Sequence, residues 1–187
     1  ALNIINNFNY CLYNSDPASQ DYRHLVPYGS SYVDSNGNTV MVTNITDQGA
    51  FLDFLSNLPT NAKSLSFNSP LNGVTEIPNN FLYKQKASLS SLNIDGLSSV
   101  TQIGNTFLRQ CSKLTSIDIS NMTLLSSIGD NFLADCEQVS TIKLPQPVGS
   151  IPTLSSWGSN IGINSSESVI TIDCGTDALK DIYYYND

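Results

Sequence analysis

Residues 89–144 decide the fold, because they contain one pattern twice and begin it a third time. The pattern reads LSSLNI at 89–94, LTSIDI at 114–119 and VSTIKL at 139–144. Equivalent positions are 25 residues apart. A fixed period of this size indicates a solenoid of stacked repeats.

The first half of each repeat has the pattern of a strand. Leu92 and Ile94 alternate with polar residues, and this period of two is typical of a half-buried strand. One such unit cannot bury its apolar side alone. We therefore expect neighbouring repeats to stack as parallel strands about 4.8 Å apart and to share one core.

The second half of each repeat is predicted to be a short helical turn. The segments read IGNTFLRQC at 103–111 and IGDNFLADC at 128–136. Ile103, Phe107 and Leu108 follow the spacing i, i+4, i+5, which suits one turn of helix. Each repeat is therefore predicted to contain a strand, a loop, a short helix and a second loop.

The repeat extends less regularly in both directions. Residues 62–67 are predicted to form the first strand, and 77–82 the second half of the same repeat. After the third copy, Trp157 occupies the position of the repeated Phe and is predicted to fill the core. A fifth strand is predicted at 169–172 and a closing helix at 177–183.

The first sixty residues do not follow the repeat. Residues 2–13 alternate loosely and predict a strand, whereas 31–42 predict a hairpin with its turn at Asn36-Gly37. Asp47 or Thr46 is predicted to cap a helix that ends before the first repeat strand. Terminal repeats need a cover, so we expect this helix to close the end of the core.

The composition excludes two functional classes. Eight Lys and Arg residues stand against sixteen Asp and Glu, a net charge of -8, so no basic face for nucleic acid is expected. No apolar run approaches the roughly 18 residues that span a bilayer. The chain opens at Ala1 without a signal-peptide pattern, and we expect it to be a mature or trimmed piece.

The four cysteines do not indicate a metal site. Cys111 and Cys136 occupy equivalent positions, with their Cα atoms expected about 5 Å apart. That distance alone permits a disulfide, but parallel side chains keep the Cβ atoms farther apart than the usual 3.8 Å or so, so we predict buried thiols. Cys11 and Cys174 are isolated, and no metal or cofactor is predicted.

The repeat resembles the BspA-like leucine-rich repeats of bacterial and protist cell-surface proteins. The resemblance covers 86–145 well and 62–85 and 146–183 less well, and it is absent before about residue 45. The proline typical of the family after the last apolar strand residue occurs only at Pro145, and the family's Phe-x-x-Cys has one extra residue here. The resemblance implies an extracellular or cell-surface setting and a binding role, often adhesive, without catalytic residues.

The predicted fold class is therefore α/β, a right-handed leucine-rich-repeat solenoid with a parallel sheet on its concave face and an N-terminal hairpin and helix cap. We expect a capping region at 1–60 and the solenoid with a closing segment at 61–187. The predicted function is a non-catalytic, monomeric surface module that binds a host, matrix or glycan ligand. The alternative is a spacer that holds another domain away from the cell.

An enzyme is a third and less favoured hypothesis. His24 is the only histidine, and no nucleophile elbow, phosphate loop or zinc-protease motif is present. Asp95 and Asp118 are expected near each other on the open sheet face, but two exposed carboxylates do not make a general acid. An enzyme would therefore need a site in the N-terminal region around His24.

The ligand is predicted to bind on the concave sheet face, because residues between the apolar strand positions point outward and are short and polar. Their hydrogen-bonding groups would repeat about every 4.8 Å. A merely solvated sheet would have the same composition, and this alternative stays open. The face also lacks the Trp, Tyr and Arg residues that anchor tight protein interfaces. The predicted ligand-binding residues are Ser91, Asn93, Asp95, Ser116, Asp118, Ser120, Thr141 and Lys143.

Overall fold

The computed structural model describes residues 2–5, 8–14, 25–27, 29–42, 45–145, 156–165 and 171–173. Within them the chain has mixed α/β structure with parallel strands. His24, Cys174 and the closing helix predicted at 177–183 lie outside the described residues.

The N-terminal residues form a small antiparallel sheet instead of the single predicted strand. β1 (Leu2–Ile5) pairs with β2 (Phe8–Asn14), which pairs in turn with β3 (Leu25–Pro27). The alternation of residues 2–13 is interrupted by a reversal of the chain, and for this reason it looked loose in the sequence.

The predicted hairpin is confirmed. β4 (Ser30–Val33) pairs antiparallel with β5 (Thr39–Val42). Asp34 stabilises the turn, since its Oδ1 accepts the backbone N–H groups of Asn36 and Asn38, both at 2.9 Å. Gly37 has a φ of +85°, the left-handed conformation that glycine adopts without strain.

Helix α1 (Gln48–Asn57) covers the end of the core, as the sequence predicts. The Asp47 side chain is its N-cap and accepts the Ala50 N–H at 2.7 Å. Phe51 is fully buried and lies 5.9 Å from Phe67 and 6.4 Å from Phe81, measured between ring centroids. The helix therefore supplies an aromatic lid for the first repeat.

The strands of the LxxLxI pattern form two sheets instead of the single expected sheet. In one, the hairpin strand β4 pairs antiparallel with β6, and β6 pairs parallel with β8, with Leu65 opposite Leu92. In the other, β10, β12 and β13 are parallel, with Ile142 opposite Ile117 and Ile172. The strands are β6 (Ser64–Phe67), β8 (Ser91–Asn93), β10 (Ser116–Asp118), β12 (Thr141–Lys143) and β13 (Thr171–Asp173).

No strand ladder joins β8 to β10, although Cα atoms of the two strands lie within 8 Å of each other; the expected pairing of Ile117 with Ile142 is confirmed. Asp95 and Asp118 follow or end these two strands; burial raises the pKa of the Asp95 carboxyl, and the charge of Asp118 raises it further.

A second parallel sheet runs across this gap without interruption. It consists of β7 (Glu76–Ile77), β9 (Gln102–Ile103) and β11 (Ser127–Ile128), which we call the second sheet. The repeats therefore remain connected by backbone hydrogen bonds where β8 and β10 are not paired.

The predicted helical half of the repeat is wrong. After β9 the chain has a positive φ at Thr106, Leu108 and Gln110, and after β11 at equivalent residues. Alternate left-handed residues are incompatible with an α-helix. Their N–H groups bond between repeats instead: Gln110 N–H donates to the Ala134 carbonyl at 2.8 Å. Among the described repeat residues, helical structure is limited to one 3₁₀ turn, Tyr83–Gln85.

A column of aromatic rings passes through the core. The rings of Phe81 and Phe107 are stacked with centroids 5.5 Å apart, and those of Phe107 and Phe132 are stacked at 5.3 Å. Trp157 continues the column edge-on at 5.3 Å from Phe132, so its predicted place in the core is confirmed. The aromatic column comprises Phe51, Phe81, Phe107, Phe132 and Trp157.

Cys111 and Cys136 are buried free thiols, as predicted. Their burial raises the pKa of both, that of Cys111 to about 12. The Cys136 Sγ lies 3.0 Å from the Leu108 carbonyl oxygen, to which the thiol donates. They therefore serve as small core side chains.

Candidate interaction surface

The predicted ligand-binding residues lie on or just after three strands that carry the repeat pattern. We call these eight residues the polar face. They belong to β8, β10 and β12 or follow β8 and β10. Register places Ser116 opposite Thr141 and Asp118 opposite Lys143. Because β8 is not paired with β10, the polar face consists of two adjacent groups of side chains. Ser91, Asp95, Ser116 and Lys143 are exposed, whereas Asn93, Asp118, Ser120 and Thr141 are half-buried.

Three of these residues are already engaged in turns at the ends of strands. Asn93 Oδ1 accepts the Asp95 N–H at 3.0 Å, and Asp118 Oδ1 accepts the Ser120 N–H at 2.9 Å. The Ser120 hydroxyl donates to the same carboxylate oxygen at 2.5 Å. Such Asx turns direct the chain out of a strand. Asn93, Asp118 and Ser120 therefore have a structural role that the sequence analysis did not identify.

The charged groups of the polar face interact with one another. Burial raises the pKa of the Asp95 carboxyl, the nearby charge of Asp118 raises it further, and Lys143 lowers it. Asp95, Asp118 and Lys143 therefore lie close together, as the sequence suggested for the two carboxylates. Among the described residues, no group of three or more His, Cys, Asp or Glu side chains is arranged to hold a metal ion.

A second surface, which the sequence analysis missed, lies at the turns that follow the second sheet. The Lys86 Nζ donates to Gln110 Oε1 at 2.8 Å and lies 3.9 Å from the centroid of the Tyr83 ring. Arg109 is also near, since its charge helps to lower the pKa of Tyr83, after the hydrogen bond and charge of Lys86. The signal in the sequence was the clustering of basic residues at these turns.

An open groove of about 440 Å³ adjoins this second surface. It lies between helix α1 and residues 78–85, and Leu52 and Leu55 of the helix form part of its wall. The Leu52 side chain is 43% exposed although it is large and apolar. Tyr83 and Lys84 line the other wall, so the groove and the basic turns are continuous.

In the described part of the chain, no helix is both long enough and apolar enough to cross a bilayer.

Comparison with known families identifies the repeats. Residues 57–162 match the family model of the BspA type leucine rich repeat region, in six copies. This segment exceeds half of the 187 residues. The chain belongs to the BspA-type leucine-rich-repeat family. No curated protein and no solved structure matches the chain.

The BspA-type match contains strands β6 to β12 and all of the aromatic column except Phe51. BspA-type proteins are typically surface or secreted proteins, and their repeats are generally non-catalytic and suggest protein interaction. The hairpin β4–β5 and most of helix α1 precede the matched segment.

Proposed function

We propose that this chain is a non-catalytic, monomeric interaction module at a cell surface. Its repeats form a right-handed solenoid, and the polar face lies on the concave side and binds a host or matrix protein or glycan, with adhesion as the outcome. Membership of the BspA-type family supports the surface setting and the interaction role.

The single observation that carries the proposal is that four polar-face side chains are exposed and not needed for the turns. Ser91, Asp95, Ser116 and Lys143 provide hydroxyl, carboxylate and ammonium groups on neighbouring strands. Short hydroxyl and charged side chains suit a polar ligand bound by many weak hydrogen bonds. They suit a tight protein hot spot less well, because aromatic and Arg anchors are lacking.

The test is binding to a glycan array and to a panel of purified matrix proteins. The variant combines Ser91→Ala, Asp95→Asn, Ser116→Ala and Lys143→Gln and leaves the turn residues intact. We expect a loss of affinity of at least tenfold, with Tm within about 2 °C of the parent because exposed substitutions rarely alter stability.

The matched control alters exposed residues of the second sheet, Gln102→Ala with Ser127→Ala. It should keep full affinity. Equal loss in both variants would contradict binding at the polar face. Size-exclusion chromatography with light scattering tests the monomer.

A spacer is the second candidate, favoured by the use of Asn93, Asp118 and Ser120 within the protein's own turns. A spacer predicts no binding anywhere on the array or panel. That result would contradict the interaction module.

A further inference from the structure

Half of the basic residues of this acidic chain lie in the turns of two neighbouring repeats. Lys84, Lys86, Arg109 and Lys113 are four of the eight Lys and Arg residues, and we call the three that line or approach Tyr83, namely Lys84, Lys86 and Arg109, the cationic patch. From 84 to 113 the only acidic residue is Asp95, which belongs to the polar face. Asp135 of the next repeat lies 3.9 Å from Arg109, so the three cations of the patch still exceed the negative charge beside them, on a protein whose net charge is -8.

Neutral groups hold Lys86 in place. Its Nζ contacts the Gln110 amide oxygen and the Tyr83 ring, and the Tyr83 hydroxyl donates to the same amide oxygen at 3.4 Å. A cation over an aromatic face is attracted without being neutralised. Lys86 is thus oriented by its neighbours while its charge remains available to a ligand.

Arg109 is loosely paired. Its Nε atom is buried without a hydrogen-bond partner and lies 3.9 Å from Asp135 Oδ2, which is beyond hydrogen-bond distance. The Arg109 side chain is 43% exposed. A planar guanidinium binds carboxylates in bidentate geometry, so an exposed and loosely paired one favours an incoming carboxylate.

The groove beside the patch supplies apolar contact. Leu52, Leu55 and Pro78 line it together with Asn79 and Asn80. A volume of about 440 Å³ is in the range of sites that enclose small ligands or a few side chains. Tyr83 and Lys84 line the groove and adjoin the cationic patch, so one ligand can occupy both.

We propose that the groove and the cationic patch together form a docking surface for an acidic, extended segment of a partner protein. An apolar side chain of the segment enters the groove between α1 and residues 78–85, and its carboxylates lie on the patch. Leucine and proline walls suit an aliphatic or aromatic side chain better than a sugar ring. This surface is separate from the polar face, so it does not depend on the function proposed above.

The experiment selects ligands from a random heptapeptide library displayed on phage, with the whole chain as the target. Selected peptides are then synthesised with a fluorophore, and their affinity is measured by anisotropy. We expect selected sequences to be enriched in Asp and Glu next to Leu, Ile or Phe. We also expect the affinity to fall as salt rises, because salt screens exposed charges.

Substitutions locate the binding site. Lys84→Gln and Lys86→Gln together should weaken binding at least tenfold, and Leu52→Ser should weaken it without changing the salt dependence. The matched control is Lys63→Gln, which removes an exposed charge at the start of β6, outside the patch. Far-UV circular dichroism of each variant verifies the fold.

Three results would overturn the proposal. One is the selection of no peptides, or of peptides without acidic enrichment. The second is equal binding by Lys84→Gln and Lys63→Gln. The third is that Lys84→Gln with Lys86→Gln weakens the binding of dextran sulfate but not that of the selected peptides. This result would assign the surface to an acidic polysaccharide.

Discussion

At the scale of single residues, Gly129 sets how closely two repeats approach. A Cβ on Gly129 would meet the Asn105 side chain and lie 2.7 Å from its backbone nitrogen. Asn105 Oδ1 accepts the Asp130 N–H at 2.8 Å, just as Asn79 Oδ1 accepts the Asn105 N–H at 2.7 Å. The glycine therefore makes room for an asparagine ladder between repeats.

Gly129→Ala should reduce the free energy of unfolding by about 2–3 kcal/mol, because it crowds the backbone and displaces the Asn105 side chain. Urea unfolding measures the change. The control is Gly49→Ala in helix α1, where a Cβ would meet only Asp47 Oδ1 at 3.4 Å. Alanine is a better helix former, so the control should be neutral or stabilising by up to about 1 kcal/mol. Equal stability of Gly129→Ala and the parent would refute the close approach.

The buried thiols of Cys111 and Cys136 should make the protein sensitive to alkaline pH. Their pKa is raised in the folded state, so between pH 9 and about 12 the unfolded chain loses protons that the folded protein keeps. Stability is thus unaffected below about pH 9 and falls above it, by up to about 1.4 kcal/mol per pH unit for each thiol.

Urea unfolding at pH 8, 9 and 10 tests this, with Cys111→Ala and Cys136→Ala combined as the comparison. The double variant starts from lower stability because it leaves cavities, but its decline with pH should be shallower. Parallel curves for the two proteins would show that other groups cause the alkaline loss.

The sequence predicted correctly the core residues whose positions follow from the repeat period alone. Trp157, Cys111 and Cys136 lie where the 25-residue period predicts them. Equivalent core positions in stacked repeats leave similar space, so they contain buried side chains in each repeat. The roles of Asn93 and Asp118 could not be predicted in this way. An Asx turn and a ligand-binding position favour the same short polar residues.

At the scale of secondary-structure elements, helix α1 covers the edge of the second sheet with the side chain of Gln48. Gln48 Oε1 accepts the N–H groups of Thr75 and Glu76 at 3.0 and 3.2 Å, and Gln48 Nε2 donates to the Glu76 carbonyl at 2.8 Å. The carboxamide occupies the place of a peptide group from a further strand. It thus protects the edge strand β7.

Gln48→Ala should reduce the free energy of unfolding by about 1–2 kcal/mol, because three backbone groups of Thr75 and Glu76 lose a partner but remain accessible to water. Hydrogen exchange should report faster exchange at the Thr75 and Glu76 amides. Gln102→Ala in the central strand β9 is the control, since its side chain makes one contact of 3.5 Å with Glu76, and it should change stability by less than about 0.5 kcal/mol. Unchanged exchange at both amides would contradict the proposed role of Gln48.

The incorrect prediction of a short helix in the second half of each repeat also concerns secondary-structure elements. Ile103, Phe107 and Leu108 have helical spacing, yet Thr106, Leu108 and Gln110 adopt left-handed φ angles. At the equivalent places of the next repeat, Asn131 and Asp135 are residue types that signal such angles, but Leu108 and its equivalents give no signal. Hydrogen bonds to the next and previous repeats stabilise these conformations, and a single repeat contains no trace of those partners.

At the scale of the whole molecule, the aromatic column predicts cooperative unfolding. Phe107 is fully buried between two stacked rings, so Phe107→Ala should reduce the free energy of unfolding by about 3–5 kcal/mol. Trp157 is the single tryptophan and lies at the far end of the column from α1. Its fluorescence should follow the same shifted transition as circular dichroism, because repeats are coupled through their interfaces.

The comparison variant is Phe81→Leu, which keeps an apolar side chain in the column and should lose less stability than Phe107→Ala. If Trp157 fluorescence keeps the parent's transition in Phe107→Ala while circular dichroism shifts, the repeats unfold in separate blocks.

The stacking of repeats was accessible from the sequence because period and apolar pattern are local properties. The division of the strands into two sheets was not, since the same strand pattern occurs in each copy and does not indicate which neighbouring strands form a ladder. The groove beside α1 was missed for a similar reason. It lies between elements from different parts of the chain, and neither half has a signature of its own.

The missing ladder between β8 and β10 has a mechanical consequence. If the molecule is pulled from both ends, tension crossing that junction passes through the short strands β9 and β11, the hydrogen bonds between the turns that follow them and the buried rings, because β8 and β10 have no ladder there to share the load. Among the strands that carry the repeat pattern, we therefore expect stretching to part β8 from β10 first.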